Sequence, residues 1–538
     1  MDKFRIAVLA EKDARFAPWE RKLFAALSAD ERFELVLLSI VKTTTPRVKG
    51  HFFFRTLMRA EAMLFARVPF VEASPFGPDH TINAEQRTTL SATAEHEGEE
   101  FYDVILNHAS GPVPANLAKA AKYGVWSMDF ALSPDARALA GFWEADKKAN
   151  ETRAALVVHS ADGAPAEIIA DAGFNTKFCA SRNAAFIRDK SVPLILRELR
   201  RLAGGLPAAP RRPFAAPAPR YPGALTLIDY AVGVARGLAS RLAALAAARV
   251  GARPGMWFLR SGGGEPLALE PSTGADIIPY GNQFWADPFL IRENGADYVF
   301  FEDYDYSASR GAIAVGKFED GAFAYLGKAI EAPYHFSFPF LFRHEGELFM
   351  MPETVEKERI EIWRCVEFPL RWTLHKTAFE GVLAADSVTF ERAGAWWLFT
   401  NVSTDAFGDH CSDLHLYRVD GPMLDNPVAH PLNPVVMDSA VGRNGGRVFE
   451  KNGKLYRVSQ NNAFGAYGYG VNLMEIESLS LDDYRERAVR RIAPDFAEGL
   501  IGCHHLDAVG DGVSARWVLD ARKRSGGFPP RSRSTRAG

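Results

Sequence analysis

The sequence predicts two domains of different class, an α/β domain followed by an all-β five-bladed β-propeller. At 538 residues, the chain is too long for a single hydrophobic core. Residues 1–204 alternate apolar runs of strand length with helical stretches. Beyond residue 251 the chain consists of short aromatic-rich strands that repeat at a period near 50 residues.

Composition narrows the class of protein. The formal net charge of -3 argues against a nucleic-acid binder, because a surface that reads phosphates carries a basic excess. The four cysteines form no CxxC pair, which argues against a disulfide framework and against a zinc site. The N-terminus lacks a signal-peptide pattern, and no uncharged run is long enough for a membrane-spanning helix. We therefore expect a cytoplasmic protein.

Near-continuous apolar runs mark the strands of the first domain. Runs of this kind are typical of buried strands in a parallel sheet, so we expect a mostly parallel sheet with helices on both faces over residues 1–204. The predicted strands are FRIAVLA (4–10), FELVLLSIV (33–41), YDVILNHAS (102–110) and AALVVHSA (154–161), and the predicted helices cover 113–124 and 192–204.

Residues 205–223 contain six prolines and many alanines, a composition that predicts a stiff linker at a domain boundary. Residues 224–250 then predict an amphipathic helix, with Leu225, Ile228 and Val232 on its apolar face. One interpretation is a helix docked between the domains. The other is a helix on the membrane surface, which would place the protein at the inner face of the membrane.

A repeated unit of strand, glycine turn and strand extends through residues 251–523. Several strands per unit at this period predict a propeller, and five units predict five four-stranded blades. Residues 524–538 are basic and rich in Gly, Pro and Ser, which predicts a disordered tail. The predicted turn glycines between the two inner strands of the blades are Gly295, Gly346, Gly394, Gly453 and Gly512.

Residues that begin the innermost strands of a propeller converge on its central funnel. In the five repeats these residues are Asp287, Ser337, Asp386, Asn444 with Gly445, and His504. Each aspartate alone could cap a strand end. Two aspartates at matched positions favour a site, in which two neighbouring carboxylates could not both ionise freely without a compensating cation.

The motifs WADPFLI and ADSVTF resemble the blade starts of glycoside hydrolase family 43. The resemblance implies that Asp287 is the general base and that Asp386 tunes the general acid. It also implies that His504 helps to hold a central cation such as Ca²⁺, although a structural histidine is an equal alternative. No cofactor follows from the residues alone.

The chain departs from that family where the general-acid glutamate should stand. The segment GRNGGRVF places Arg443 and Asn444 there, and an arginine cannot release a proton at neutral pH. Glycoside hydrolysis requires a carboxylic acid to protonate the departing oxygen. Glu353 or Glu302 could supply that acid from another blade, the reaction could need none, or the site could only bind.

A second resemblance covers more of the propeller. The segments APYHFSFPFLFRHEGELFMMPET and GGRVFEKNGKLYRVSQNNAFGAYGYGV are similar to the N-terminal domain of plant glucosamine inositolphosphorylceramide transferases. The resemblance implies a glycan or glycolipid substrate. Polar residues in and beside these segments are candidates for substrate binding, with hydrogen bonding between blades as the alternative. They are His335, Arg443, Asn444, Arg457, Gln460 and Tyr467.

Residues 103–164 resemble the folate-dependent formyltransferases in their order of strand, helix, strand and Trp-containing helix, which implies a Rossmann-like fold. Those enzymes use an Asn, a His and an Asp. Here Ser127 stands at the Asn position, Asp129 at the His position, and the Asp position falls near Pro165, with Asp162 the nearest carboxylate. The triad is not retained, so we expect a former catalytic fold that now binds or scaffolds.

The leading hypothesis is a carbohydrate-active protein of glycan or glycolipid biosynthesis. Its catalytic candidates are Asp287, Asp386 and Glu353, and it would transfer or hydrolyse a glycosyl unit in the propeller funnel. The alternatives are an N-formyltransferase that acts on an amino sugar, and a non-catalytic glycan-binding or scaffold protein. The sequence leaves open the sugar, its linkage and the oligomeric state.

Overall fold

The computed structural model describes residues 3–11, 16–40, 52–66, 87–89, 102–109, 115–159, 165–215, 218–249, 255–319, 321–463 and 467–524. Contacts divide the chain into two units. The first comprises residues 1–237 with 405–408, and the second comprises residues 238–404 with 409–538.

One eight-stranded sheet forms the frame of the first unit, in the order β3-β2-β1-β4-β5-β6-β7-β8. Strands β1 to β5 pair in parallel, whereas β5 to β8 pair antiparallel. Its strands are β1 (Phe4–Glu11), β2 (Phe33–Ile40), β3 (Arg87–Thr89), β4 (Val104–Asn107), β5 (Val125–Met128), β6 (Glu151–His159), β7 (Glu167–Asn175) and β8 (Arg212–Pro213).

The four strands predicted from apolar runs are present as β1, β2, β4 and β6. The sheet is nevertheless mixed rather than mostly parallel. Only residues 160–166 separate β6 from β7, and so short a connection joins antiparallel neighbours, since a parallel crossover needs a dozen residues or more. Within the Pro-rich segment 205–223, β8 pairs with β7.

The helices of the described residues are α1 (Pro18–Ala29), α2 (Phe52–Phe65), α3 (Ala115–Lys119), α4 (Pro134–Leu139), α5 (Phe142–Asp146), α6 (Ala180–Ala203) and α7 (Ala224–Arg249). The predicted helix over 113–124 is shorter, as α3, and that over 192–204 begins earlier, as α6. The resemblance of this unit to formyltransferases stays a prediction.

Helix α7 packs through a face other than the one that the sequence suggested. Tyr230 is buried and its hydroxyl donates a 2.5 Å hydrogen bond to Glu61 Oε2 of α2. Leu225 and Ile228, which were assigned to the apolar face, are exposed by 78% and 59%. Tyr230 determines which face of α7 packs against the unit, because its ring lies against that of Phe142. No helix of the described residues is long and apolar enough to span a membrane, and the membrane-surface interpretation of α7 stays a prediction.

Five antiparallel sheets build the second unit as a five-bladed β-propeller. Blade 1 contains β11 (Gln283–Glu293), β12 (Ala296–Asp305), β13 (Arg310–Glu319) and β14 (Ala322–Ile330). Blade 2 contains β15 (Ser337–His344), β16 (Glu347–Glu353), β17 (Ile360–Glu367) and β18 (Arg371–Ala378). Blade 3 contains β19 (Ala384–Arg392), β20 (Ala395–Val402), β21 (Asp413–Val419), β22 (Val428–Ala429) and β23 (Val436–Met437).

Blade 4 contains β24 (Asn444–Lys451), β25 (Lys454–Asn461), β26 (Gly470–Leu479) and β27 (Tyr484–Ile492). Blade 5 combines both ends of the propeller, with β9 (Met256–Gly263), β10 (Ala275–Ile277), β28 (Leu500–Gly502), β29 (Leu506–Val509) and β30 (Arg516–Lys523). Strand β9 pairs with β30 and so closes the ring with hydrogen bonds. The predicted number of blades is confirmed, although blades 3 and 5 have five strands rather than four.

The five predicted turn glycines all lie between the two inner strands of their blades. Four of them follow a residue that also has a positive φ, as in Asn294-Gly295 with φ of 50° and 77°. Such a pair forms the two-residue turn whose twist matches that of the flanking strands. The first and fourth turns have the Asn-Gly sequence that predicts this geometry, and glycine recurs in the others because it adopts positive φ at little cost.

A β-bulge interrupts the innermost strand of the first three blades. The bulged residues are Asp287, Phe338 and Asp386, with φ of 52°, 46° and 47°. The assignment of Ser337 to this position is therefore wrong by one residue. The bulged residue precedes the turn glycine by eight positions in each of these three blades, so the spacing itself selects Phe338 rather than Ser337.

Candidate functional site in the propeller funnel

Side chains from all five blades meet in one buried cluster, which we call the funnel cluster. It contains Asp287 and Glu302 of blade 1, Glu353 of blade 2, Asp386 of blade 3, Arg443 and Gln460 of blade 4, and His504, His505 and Asp520 of blade 5. Residues from five blades can meet only at the central axis. The structure therefore brings Asp287, Asp386 and His504 together at the axis, as the repeats in the sequence predicted.

Asp287 lies beside two histidines of blade 5. Its Oδ1 atom is 3.2 Å from His504 Nε2 and 3.6 Å from His505 Nδ1, and its side chain is 8% exposed. Burial alone would raise the pKa of this carboxyl group, but the hydrogen bond and positive charge of His504 hold it far below its usual range. Asp287 is thus a buried carboxylate kept in its ionised form.

His504 lies between two carboxylates. Its Nδ1 atom is 2.9 Å from Asp520 Oδ2, and the backbone N–H groups of His504 and His505 donate to Asp520 Oδ1 at 2.8 and 3.0 Å. Burial lowers the pKa of His504, but the charges of Asp520 and Asp287 outweigh burial and raise it to about 10. The imidazolium form therefore matches the two anions on either side.

Asp287, His504 and Asp520 also form a candidate cation site. One ligand atom from each lies within 4.8 Å of the others. In the described residues, His505 Nε2 is buried beside this site without a hydrogen-bond partner, as expected where a ligand binds. The set of donors fits a divalent cation once the imidazole has lost a proton. Such an ion would lower the pKa of a bound water or hydroxyl.

Asp386 has a different partner. Arg443 Nε donates a 2.7 Å hydrogen bond to Asp386 Oδ2, and Gln460 Nε2 donates to the same oxygen at 3.2 Å. The backbone oxygen of Asp386 accepts a 2.8 Å hydrogen bond from Asn444 Nδ2. Arg443 thus compensates the buried negative charge of Asp386.

Two glutamates of the funnel cluster have raised pKa values, in contrast to the lowered pKa of Asp287. Burial, with the negative charge of Asp386 as the next cause, raises the pKa of Glu353 well above its usual value, although Arg443 Nη2 lies 3.4 Å away. Burial, followed by the charges of Asp287 and Glu353, likewise raises the pKa of Glu302. The groups with raised pKa are therefore Glu302 and Glu353, rather than Asp287.

Sequence reasoning missed Asp520 and His505 and gave Glu302 only as an alternative acid. Register explains their place: Glu302 pairs with Ala286 and Glu353 pairs with Ser337, in each case on the second strand of the blade, opposite the start of the bulge. Asp520 also lies on a second strand, where its N–H donates to His505 O. One signal could have found them, a polar residue that ends an apolar run in the second strand of each repeat: VFFE, FMMPE, LFTN, YRVSQ and WVLD.

The remaining substrate-binding candidates fall into two groups. Tyr467 is 45% exposed, and its ring lies 5.2 Å from the Arg443 guanidinium and 5.2 Å from the His504 ring. His335 Nε2 lies 3.5 Å from Glu302 Oε1. Arg457, in contrast, is 1% exposed and its guanidinium binds Glu486 and the Val441 carbonyl, so its contacts are structural.

An aromatic group adjoins the His335 side of the funnel cluster. Phe284 and Tyr304 stack at 4.6 Å with an angle of 8°, Tyr306 packs edge-on against both, and His335 lies 6.0 Å from Tyr304. The three aromatic side chains are half-buried. Ring faces beside a polar cluster suit the apolar face of a sugar as well as its hydroxyl groups.

In the first unit, Ser127 lies on β5 and Asp129 directly follows that strand, whereas their match to formyltransferase positions stays a prediction. Ser127 is buried and its Oγ accepts a 3.4 Å hydrogen bond from Asn107. Burial raises the pKa of Asp129 to about 6. Asp162 lies outside the described residues.

The propeller is similar in sequence to one family of known proteins. Residues 271–502 match the model of the family described as glucosamine inositolphosphorylceramide transferase 1, N-terminal. Relatives include glucosamine inositolphosphorylceramide transferase 1 of Oryza sativa subsp. japonica, 35% identical over 238 residues that make up 43% of this chain and 32% of the relative. The Arabidopsis thaliana protein is 35% identical over 209 residues, or 38% of this chain and 27% of its own. The chain thus spans about a third of the length of the curated relatives that it matches.

Solved structures similar to this chain include family-43 glycoside hydrolases. A thermostable family-43 enzyme has a TM-score of 0.30 and 12% identity, covering 39% of this chain and 76% of its own. An exo-β-1,3-galactanase from Clostridium thermocellum has a TM-score of 0.32 and 12% identity, with coverage of 46% and 55%. The GH43_1 enzyme from Xanthomonas citri has a TM-score of 0.32 and 13% identity, with coverage of 45% and 88%. At these values the likeness is weak.

Proposed function

We propose that the propeller acts on a glycosyl unit bound at the funnel cluster, as part of glycan or glycolipid assembly. One observation carries the proposal: within one cluster, His504 lowers the pKa of Asp287 against the effect of burial, whereas burial and neighbouring carboxylates raise the pKa of Glu353. Two carboxyl groups whose surroundings push their pKa values apart are the requirement for paired acid and base catalysis.

The proposed roles of Asp287 and Glu353 follow from these opposite pKa shifts. Asp287 accepts the proton of an attacking hydroxyl, from a sugar, a lipid headgroup or water, as that oxygen bonds to the anomeric carbon. Glu353 donates its proton to the oxygen that leaves the anomeric carbon, and so replaces the glutamate that Arg443 and Asn444 displace from blade 4. Asp386 and Arg443 fix the position of Glu353, which lies 3.4 Å from the Arg443 guanidinium.

The names of the relatives suggest the substrate class. Because residues 271–502 match a domain of glucosamine inositolphosphorylceramide transferases, we infer a glycosyl unit linked to a phosphoinositol-type headgroup. Tyr467, exposed above Arg443 and His504, offers a ring face to the sugar.

The test uses glucosaminyl inositolphosphorylceramide in detergent micelles with the full chain. Mass spectrometry distinguishes release of free glucosamine, which is hydrolysis, from its appearance on an added inositolphosphorylceramide of different acyl length, which is transfer. We expect turnover to fall by at least about a hundredfold in Asp287→Asn and in Glu353→Gln, with binding retained. Asp482→Asn, an exposed carboxylate of blade 4, is the matched control.

A binding module is the second candidate, and the Asp386–Arg443 ion pair favours it. The Arg443 guanidinium stands where family-43 enzymes have their acid, and such a group grips oxyanions rather than releasing a proton. This function predicts saturable binding of the same glycolipid without turnover. It also predicts that Arg443→Gln weakens binding more than Glu353→Gln, whereas the catalytic function predicts the larger loss of turnover in Glu353→Gln.

A further inference from the structure

A cavity of about 280 Å³ lies in the first unit, between the start of α1 and the helices α2, α4 and α6. Ala17, Pro18 and Trp19, which follow β1 and begin α1, line the cavity.

The walls of the cavity are mostly small and apolar. Helices α2, α4 and α6 contribute alanines and one methionine, whose short side chains leave the space open. The lining residues from these helices and their ends are Met58, Ala62, Ala66, Ala138, Ala140, Ala180, Ala184 and Ala185. A wall of this kind is suited to a hydrocarbon chain.

Arg188 of α6 supplies a charge to this apolar wall. Its guanidinium donates a 2.8 Å hydrogen bond to the Arg137 carbonyl and lies 6.0 Å from the Phe130 ring. Among the described residues, no carboxylate lies within ion-pair distance of it. Burial, together with the charge of Arg137, lowers the pKa of Arg188 to about 10.

The surrounding charges leave a positive excess. Arg137 donates to the His108 carbonyl, while Glu20, the carboxylate that acts on Arg188, binds His108 Nδ1 at 2.9 Å and the Ala17 N–H at 2.6 Å. Asp189 also lines the cavity, but Lys22 Nζ lies 2.9 Å from its Oδ1. The guanidinium groups of Arg137 and Arg188 therefore share one carboxylate, that of Glu20.

We propose that this cavity binds a small monoanionic amphiphile, with a carboxylate on Arg188 and an aliphatic chain along the alanine wall. Within the part of the chain that the structure describes, one positive charge is left without an ion-pair partner, and this matches a monoanion better than a dianionic phosphate. The planar guanidinium matches the two oxygens of a carboxylate. The site lies wholly within the first unit and does not depend on the function of the funnel cluster.

The test measures octanoate binding to the full chain by titration calorimetry, with octanol and inorganic phosphate as comparison ligands. We expect saturable one-to-one binding of octanoate, and affinity at least about tenfold weaker for octanol, which has the same chain without the charge. Arg188→Met should weaken octanoate binding to the octanol level. Arg59→Met, which removes the same charge from an exposed position of α2, should leave it unchanged.

Ala185→Met keeps Arg188 but fills the cavity, so it should abolish binding of both octanoate and octanol. This variant, and the ratio of the two ligands on the unaltered chain, test the site even where Arg188→Met fails to fold. Equal affinity for octanoate and octanol, full binding by folded Arg188→Met, or phosphate binding as tight as octanoate binding would each overturn the proposal.

Discussion

Arg443 Nε donates a 2.7 Å hydrogen bond to Asp386 Oδ2 across the boundary between blades 3 and 4. Both side chains are largely buried, at 12% and 2% exposure. Arg443→Gln leaves the Asp386 carboxylate without its cation, so we expect a loss of about 3–5 kcal/mol in the free energy of unfolding of the propeller. Urea denaturation, followed by tryptophan fluorescence, measures it.

The double variant Asp386→Asn/Arg443→Gln should lose less than Arg443→Gln alone, because it removes both charges. Arg371→Gln breaks an exposed pair with Glu367 and should cost less than about 1 kcal/mol. An Arg443→Gln variant as stable as the Arg371→Gln variant would contradict the interpretation of a buried pair.

The raised pKa of Glu353 predicts that its contribution to the free energy of unfolding depends on pH. Its pKa in the folded state lies above the value of 4.5 for a free glutamate, so the folded state holds the proton more tightly. The free energy of unfolding must then fall as pH rises above about 4.5. Glu353→Gln cannot ionise, so its melting temperature relative to the unaltered chain should increase steadily from pH 4.5 toward neutral pH.

Glu345→Gln is the matched control for Glu353, because its side chain lies in the same blade and is 84% exposed. Its melting temperature should follow that of the unaltered chain at every pH. A difference between Glu353→Gln and the unaltered chain that stays constant with pH would mean that Glu353 is ionised in the folded protein.

The candidate cation site predicts a response to metal. Zn²⁺ or Mn²⁺ bound by Asp287, His504 and Asp520 should raise the melting temperature of the propeller, and a chelator should reverse the rise. Asp520→Asn removes one ligand and the partner of His504 Nδ1, so it should abolish the response. A metal-dependent rise in Asp520→Asn equal to that of the unaltered chain would exclude this site, and Asp482→Asn serves as the control.

Two glycines of blade 4 should differ in their tolerance of a side chain. A Cβ atom at Gly446 would lie 2.1 Å from the Leu506 carbonyl oxygen of blade 5, and its φ is 152°. At Gly453, with φ of 74°, a Cβ atom meets nothing within 4 Å. Gly453→Ala should cost about 1 kcal/mol from backbone strain, and Gly446→Ala clearly more, because blades 4 and 5 must separate.

Thermal unfolding of the two alanine variants tests this ordering. Each replaces one glycine by the same residue within one blade, so the two variants control for each other. If Gly446→Ala melts at or above the temperature of Gly453→Ala, the close approach of β24 to β29 does not limit the stability of the ring.

The sequence by itself determined the blades. Their number and their inner turns follow from hairpins, which depend on neighbours in the chain and on the positive φ that glycine supplies at Gly295 and its equivalents. Four of the eight strands of the first unit were predicted from their apolar runs, whereas the mixed pairing of its sheet was not predicted. The packed face of α7 depended on Tyr230 meeting Phe142, a contact between distant parts of the chain.

Only the tertiary structure decided the chemistry of the funnel cluster. The sequence placed Asp287, Asp386 and His504 at the axis, but it assigned Ser337 of blade 2 to the position that the bulged residue Phe338 holds. The contact of Asp520 with His504 and the raised pKa values of Glu302 and Glu353 arise only where strands from different blades meet. A pKa depends on burial and on the charges that surround a group, and both are set by residues that the chain brings together from all five blades.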